Sequence, residues 1–229
     1  MSYNSIITHP VTQALFSAVV ILPLLTLLYF AFEPAVAVGQ GSTTEEFTVT
    51  QEIEGEIAFE VAPEDVLMDP AIPGLTGGTS NGSTTFAVST NNPAGYNVTI
   101  QFAADDAMQY ESGTGFIPNL TDTIQVNFED GVGANEAAFG LTIDGANVAS
   151  EFLGDGDSSC GSGSSDGETC WRLQDVATTP FTLVDSDDST PSAGEAYDVY
   201  FRVLVNENPD PSLELGFYTA TATLTATEK

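Results

Sequence analysis

After Thr44, apolar and polar residues alternate at every second position in short runs, and this leaves antiparallel β-sheet as the fold class. The pattern is cleanest where Tyr96, Val98, Ile100 and Phe102 are separated by Asn97, Thr99 and Gln101, which gives one dry and one wet face. It recurs at Ile124, Val126 and Phe128, at Phe139, Leu141 and Ile143, and at Tyr197, Val199, Phe201, Val203 and Val205. In the closing run, Ala220, Ala222, Leu224 and Ala226 share a face opposite threonines, as expected of a last strand. Between these runs stand Pro73-Gly74, Gly77-Gly78, Asn91-Asn92-Pro93-Ala94-Gly95, Asp130-Gly131, Asp144-Gly145 and Asn208-Pro209-Asp210-Pro211, all turn chemistry. No segment past residue 40 carries a 3.6-residue repeat. About eight to ten short strands spaced by such turns predict an all-β, antiparallel β-sandwich of the Ig-like/Greek-key type over residues 45–229, with a barrel as the alternative.

The first residues are a separate object. Ala14 to Phe32 is an apolar run broken only by Ser17, Pro23 and Thr26, and it reads as a hydrophobic targeting helix. Ala35-Val36-Ala37 follows as a small-x-small pattern, with Pro34 stopping the helix before it. Two readings are open. Residues 1–37 are a signal peptide cut between Ala37 and Val38, or residues 14–32 stay as an anchor, since ~19 residues at ~1.5 Å each nearly span a ~30 Å bilayer core. Residues 1–13 contain no Lys or Arg, so orientation rests on the amino terminus and His9. Residues 38–44 read as a flexible leader, and the last residues, Thr227-Glu228-Lys229, carry no sorting motif. An exported protein, extracellular or on the cell surface, is expected.

At 42% hydrophobic and 10% aromatic the chain can bury a core, yet it sets 33 Asp+Glu against 3 Lys+Arg, a formal net charge of -30. Nucleic acid and anionic lipid headgroups need Lys and Arg to neutralise phosphate, so neither is an expected partner. Cations and neutral surfaces remain. Cys160 and Cys170 flank a Gly/Ser-rich stretch, and an even pair in an exported chain predicts a disulfide that ties loop 155–170, worth roughly 2–3 kcal/mol. A zinc site wants four ligands, and the only His is His9 in the targeting segment.

The same absence of His from residue 38 onward removes the usual neutral-pH base, so the chain is not expected to be an enzyme. Asp155, Asp157, Asp166 and Glu168, with Asp185, Asp187 and Asp188, supply the hard oxygen ligands Ca²⁺ takes. No EF-hand spacing is met, and solvated acidic turns are the other reading. Asn81-Gly-Ser83, Asn97-Val-Thr99 and Asn119-Leu-Thr121 match the N-glycosylation triplet. Phe47, Val49, Ile53, Ile57 and Phe59 share one face of a run from Phe47 to Phe59, with Glu52, Glu54 and Glu56 on the other. That run predicts a long strand which bends at Gly55 and serves two sheets, or which is donated to a neighbouring subunit.

Asp69-Pro-Ala-Ile-Pro-Gly-Leu-Thr-Gly-Gly78, Thr90-Asn-Asn-Pro-Ala-Gly-Tyr-Asn-Val-Thr-Ile100, Phe201-Arg-Val-Leu-Val205 and Tyr218 to Thr227 resemble a family of exported β-sandwich surface proteins of candidate-phylum bacteria with small genomes. The resemblance covers most of residues 45–229. It implies a cell-surface location and a sandwich fold, and it brings no assigned activity or site residues. A more distant likeness is to Gram-positive wall-associated β-domains, whose paired Trp-x-Leu signature is absent; Trp171-Arg172-Leu173 occurs once. The expected function is a non-enzymatic structural or adhesive surface protein meeting a cell-surface or extracellular polymer, or its own copies. A carbohydrate- or Ca²⁺-binding module and a donor-strand filament subunit are the alternatives.

Overall fold

Every regular element that the computed structural model describes is a strand or a short 3-10 helix, and every strand pairing is antiparallel. The structure describes residues 43–120, 128–153, 170–173 and 176–229. The chain divides into two compact units, 1–51 and 52–229. Of the first unit only residues 43–51 are described, and they are exposed and without strand. The predicted targeting helix, the cleavage residues Ala35, Ala37 and Val38, and the metal candidates Asp155, Asp157, Asp166 and Glu168 lie outside the described residues. Among the described residues no helix is long and apolar enough to cross a membrane.

In the second unit the strands are β1 (Ile57–Val61), β2 (Gly78–Thr90), β3 (Tyr96–Phe102), β4 (Met108–Tyr110), β5 (Phe116–Ile117), β6 (Ala137–Asp144), β7 (Phe181–Ser186), β8 (Glu195–Val205), β9 (Tyr218–Ala220) and β10 (Ala222–Glu228). One sheet runs β1-β2-β8-β6, a second β10-β3-β7, and a small third β5-β4-β9. Inward side chains of the two larger sheets meet in one core that includes Phe86, Val98, Ile100, Phe139, Leu183 and Val199. The β2–β3 turn is the predicted Asn91–Gly95 cluster. Gly95 sits at φ +89 with Ser186 O only 2.0 Å from where a Cβ would stand, so glycine is the residue that closes it.

Four expectations are corrected. The long Phe47–Phe59 strand is absent: β1 begins at Ile57, opposite Thr90, and β2 ends there, so β2 does not extend to pair with the residues before Ile57. Phe47, Val49 and Ile53 are 85%, 83% and 84% exposed, while Ile57 and Phe59 lie half-buried against the core. Phe128 belongs to a 3-10 helix, Phe128–Gly131, and not to a strand; Ile124 and Val126 lie outside the described residues. The closing run is two strands. Thr221 separates β9, on β4, from β10, on β3, so the chain changes sheet at its last turn and not at Gly55. Finally, β6 is buried on both faces, not half-buried.

That double burial has a local cause. Ala137, Phe139, Leu141 and Ile143 enter the main core, while Ala138 enters a second cluster with Leu120, Phe128, Val132, Trp171 and Leu204. Gly140 lets this second layer come close, since a Cβ there would stand 2.9 Å from the Phe128 ring and 3.2 Å from Leu120.

The longest strand, β2, shows no apolar alternation in its first half, because Gly78 to Thr85 contains no apolar side chain. Tertiary partners make it a strand. β8 pairs along its length, Asp69 and Asn81 exchange backbone hydrogen bonds of 2.9 and 3.0 Å, and Val66 and Met68 cover Gly82.

Candidate functional site

The outward face of the first sheet can be read from its register. Asn81, Arg202 and Gly140 form one row across β2, β8 and β6, and Ser83, Tyr200 and Thr142 form the next. Arg202 is one of three cationic side chains in the protein and its own is only 17% exposed. Its guanidinium carbon lies 4.5 Å from the Trp171 ring centre, and Nε donates to Asn81 Oδ1 at 2.7 Å. Nη1 stands 3.9 Å from Glu129 Oε1, too far for a tight pair. Beside this stack a cleft of about 310 Å³ opens, floored by Asn81 and Ser83 and walled by Trp171 and Tyr200. It offers hydrogen bonds and one positive charge but no acid and base poised on a common atom. Trp171 Nε1, inside the second cluster, and Thr142 Oγ1 are buried without a hydrogen-bond partner among the described residues, which costs stability.

A second polar group is interior. Tyr96 and Tyr197, on β3 and β8, bring their hydroxyls to 2.6 Å in the core, and Tyr96 Oη donates to Glu195 Oε2 at 3.4 Å. Burial pushes the Tyr96 phenol up, and burial together with the Tyr96 hydrogen bond pushes Tyr197 up well beyond the usual phenol range. Both stay neutral and satisfy one another, so they join the sheets and do not move protons at ordinary pH.

Of the acidic candidates, Asp185 and Asp187 hold Lys229, whose Nζ lies 2.5 and 2.6 Å from their Oδ1 atoms. Those hydrogen bonds raise the Lys229 ammonium above its usual range. Among the described residues no group of three or more His, Cys, Asp or Glu side chains is placed to hold a metal ion. Cys170 is fully buried and disulfide-bonded, next to Trp171; Cys160, its predicted partner, lies outside the described residues. Asn119 of the predicted glycosylation triplets is buried, with Oδ1 accepting from the Ala107 amide at 2.9 Å, so that site is closed; Asn81 is engaged by Arg202.

The remaining candidate is the side of the molecule where β1 and β10 end their sheets. The opposite edges, β6 and β7, are hydrogen-bonded beyond their sheets. Phe139 donates to Pro118 O and accepts from Leu120 N, both at 2.8 Å; Leu141 and Arg172 exchange bonds of 3.2 and 3.0 Å; Ala149 donates to Leu183 O and Asp185 to Asn147 O. No such cover lies on β10 among the described residues, and Leu224 and Ala226 are only partly buried. Sequence reasoning missed both the Arg202–Trp171 stack and this open side. A lone cation in an otherwise acidic strand signals the first, and the charge-free run from Tyr218 to Thr227 signals the second.

No protein-family model matches the chain, and no curated protein matches it.

Proposed function

We propose that the protein is a non-enzymatic, exported structural or adhesive component of the cell surface, whose two larger sheets form an Ig-like, Greek-key sandwich. One observation carries this reading: the large apolar side chains Phe47, Val49 and Ile53 stand exposed and residues 222–227 of β10 carry no charge, while Trp171, Tyr96 and Tyr197 are buried. Such a surface suits association better than chemistry. The acidic exterior, net charge -30, favours solubility and a shell of cations.

Protease shaving of intact cells of the native host, followed by intact mass of the released protein, tests it. Release from the surface with an amino terminus at Val38 is expected. Recovery only from the cytosol overturns the reading, and Met1 retained in a detergent extract replaces the cleaved signal by the anchor over residues 14–32.

A glycan-binding reading is favoured by one feature: Tyr110 and Tyr218 lie ring to ring at 5.1 Å beside the exposed Phe217. Titration with cell-wall polysaccharide against Tyr218→Ala reads it. A Ca²⁺ role for Asp155, Asp157, Asp166 and Glu168 requires Ca²⁺ to raise the melting temperature beyond Na⁺ at equal ionic strength. Equal effects leave only screening.

A further inference from the structure

We propose that the cleft beside the Arg202–Trp171 stack binds one sugar acid, a hexuronate carried on an otherwise neutral surface glycan. The inference rests on the surface reading above and names the chemistry of the polymer. Three observations lead to it.

The cleft gathers hydrogen-bond donors that the protein itself does not use. Arg202 commits only Nε, to Asn81 Oδ1; its Nη atoms find no acceptor at hydrogen-bond distance among the described residues, with Glu129 Oε1 3.9 Å from Nη1. The same bond fixes the Asn81 amide and leaves Nδ2 without an acceptor among the described residues. Trp171 walls the cleft, is 1% exposed, and has no partner for Nε1 among the described residues. Leaving such donors unpaired costs stability, and an occupant that accepts their hydrogens recovers it.

The second observation is the sign of the charge. The chain carries 33 Asp+Glu, yet no carboxylate lines this cleft among the described residues. Its one charge is a guanidinium held in place by the Trp171 ring at 4.5 Å and by Asn81, and largely withdrawn from water. That is a preorganised, planar, two-pronged donor, which a carboxylate fits. One cation balances one anion. A net charge of -30 repels a polyanion, so the matching carboxylate stands alone among neutral groups.

Size and hydroxyls supply the third. A cleft of about 310 Å³ is at the small end of ligand pockets and holds one sugar ring. Ser83 and Tyr200 border it with hydroxyls that both donate and accept, as sugar hydroxyls do, and neither hydroxyl has a protein partner among the described residues. Tyr200 is half-buried, so its ring also offers an apolar face. A peptide carboxylate brings no hydroxyls and leaves Ser83 and Tyr200 unused.

Trp171 is the only tryptophan in the chain, so its emission reports on this cleft. The full chain from its host is titrated at constant ionic strength with methyl glucuronide, methyl glucoside, sodium acetate and inorganic phosphate. Methyl glucuronide is expected to shift the emission saturably, with a midpoint at least about tenfold below that of any other probe. Ser83→Phe, at an exposed strand position, fills the cleft and is expected to abolish the shift while circular dichroism stays unchanged. If that variant does not fold, Ser83→Ala reads the same contact and is expected to weaken binding several-fold. Absence of a saturable shift overturns the proposal. So does an equal midpoint for methyl glucoside, which means the charge is not read, or for acetate or phosphate, which means a bare anion site. Binding that survives Ser83→Phe, or is unchanged in Ser83→Ala, lies elsewhere and overturns it too. If methyl glucuronide does not bind while shaving still places the protein at the surface, only this inference falls; a cytosolic protein removes the reading beneath it.

Discussion

The two sides of the sheet pair end differently. On one, β6 and β7 are sealed by segments around Leu120, Arg172 and Val148, so Leu141 and Leu183 are inaccessible to solvent. On the other, β1 and β10 end their sheets with no further strand on them among the described residues, and their apolar side chains are half-buried. The same alternating pattern builds both; what differs, among the described residues, is whether other segments hydrogen-bond to the edge. The sealed side shows how a sheet edge is protected within one chain.

The sharpest way to break this contrast is a matched truncation. Leu141→Ala on the sealed side is expected to cost about 2–5 kcal/mol in urea unfolding, because it empties a filled interior site. Leu224→Ala on the open side is expected to cost about 1 kcal/mol, since solvent already reaches it. Equal costs mean that the open side is not open.

Reduction probes the cap over β6. If Cys170 is bonded to Cys160, removing the bond frees the segment that carries Trp171, and a loss of roughly 2–3 kcal/mol is expected. Thiol labelling without reductant in the folded, exported protein sinks the pairing.

Arg202→Ala unstacks the same cap and leaves Asn81 Oδ1 unpaired. A loss of about 1–2 kcal/mol with a red shift of Trp171 emission is expected. Arg202→Lys is expected to recover little, because an ammonium cannot lie flat on the indole.

The tyrosine pair joins both larger sheets and gives a pH signature. Its folded-state phenols hold their protons where unfolded ones, near pH 10, lose them, so stability is full below about pH 10 and falls above it. Tyr197→Phe is expected to cost about 1 kcal/mol at neutral pH and to flatten that alkaline fall in a melting-temperature series. An unchanged slope places the alkaline sensitivity elsewhere.

The smallest effect is expected from Val49→Asp, which is expected to alter monomer unfolding at low salt by less than about 0.5 kcal/mol. A larger loss shows that the segment already packs on its own chain.

Much of the fold was legible in residues. Tyr96 to Phe102 and Tyr197 to Val205 announce β3 and β8 by alternation alone, because a side chain's face in a strand depends only on its parity. The turn at Asn91–Gly95 was equally plain. The first half of β2 was not: Gly78 to Thr85 carries no apolar residue, and Val66 and Met68 supply its cover from elsewhere. Phe47 to Phe59 misled in the opposite way, for it alternates well and yet its pairing with β2 starts only at Ile57, opposite Thr90.

What the sequence determined by itself is therefore local and additive: strand faces, turns, net charge and the lack of His after residue 37. What only the tertiary structure decided is which edges are covered, where the chain changes sheet at Thr221, and that Arg202 lies on Trp171. The physical reason is that strand pairing is a long-range contact. Parity is a property of neighbours in the chain, whereas a hydrogen-bonded edge belongs to segments far apart in it.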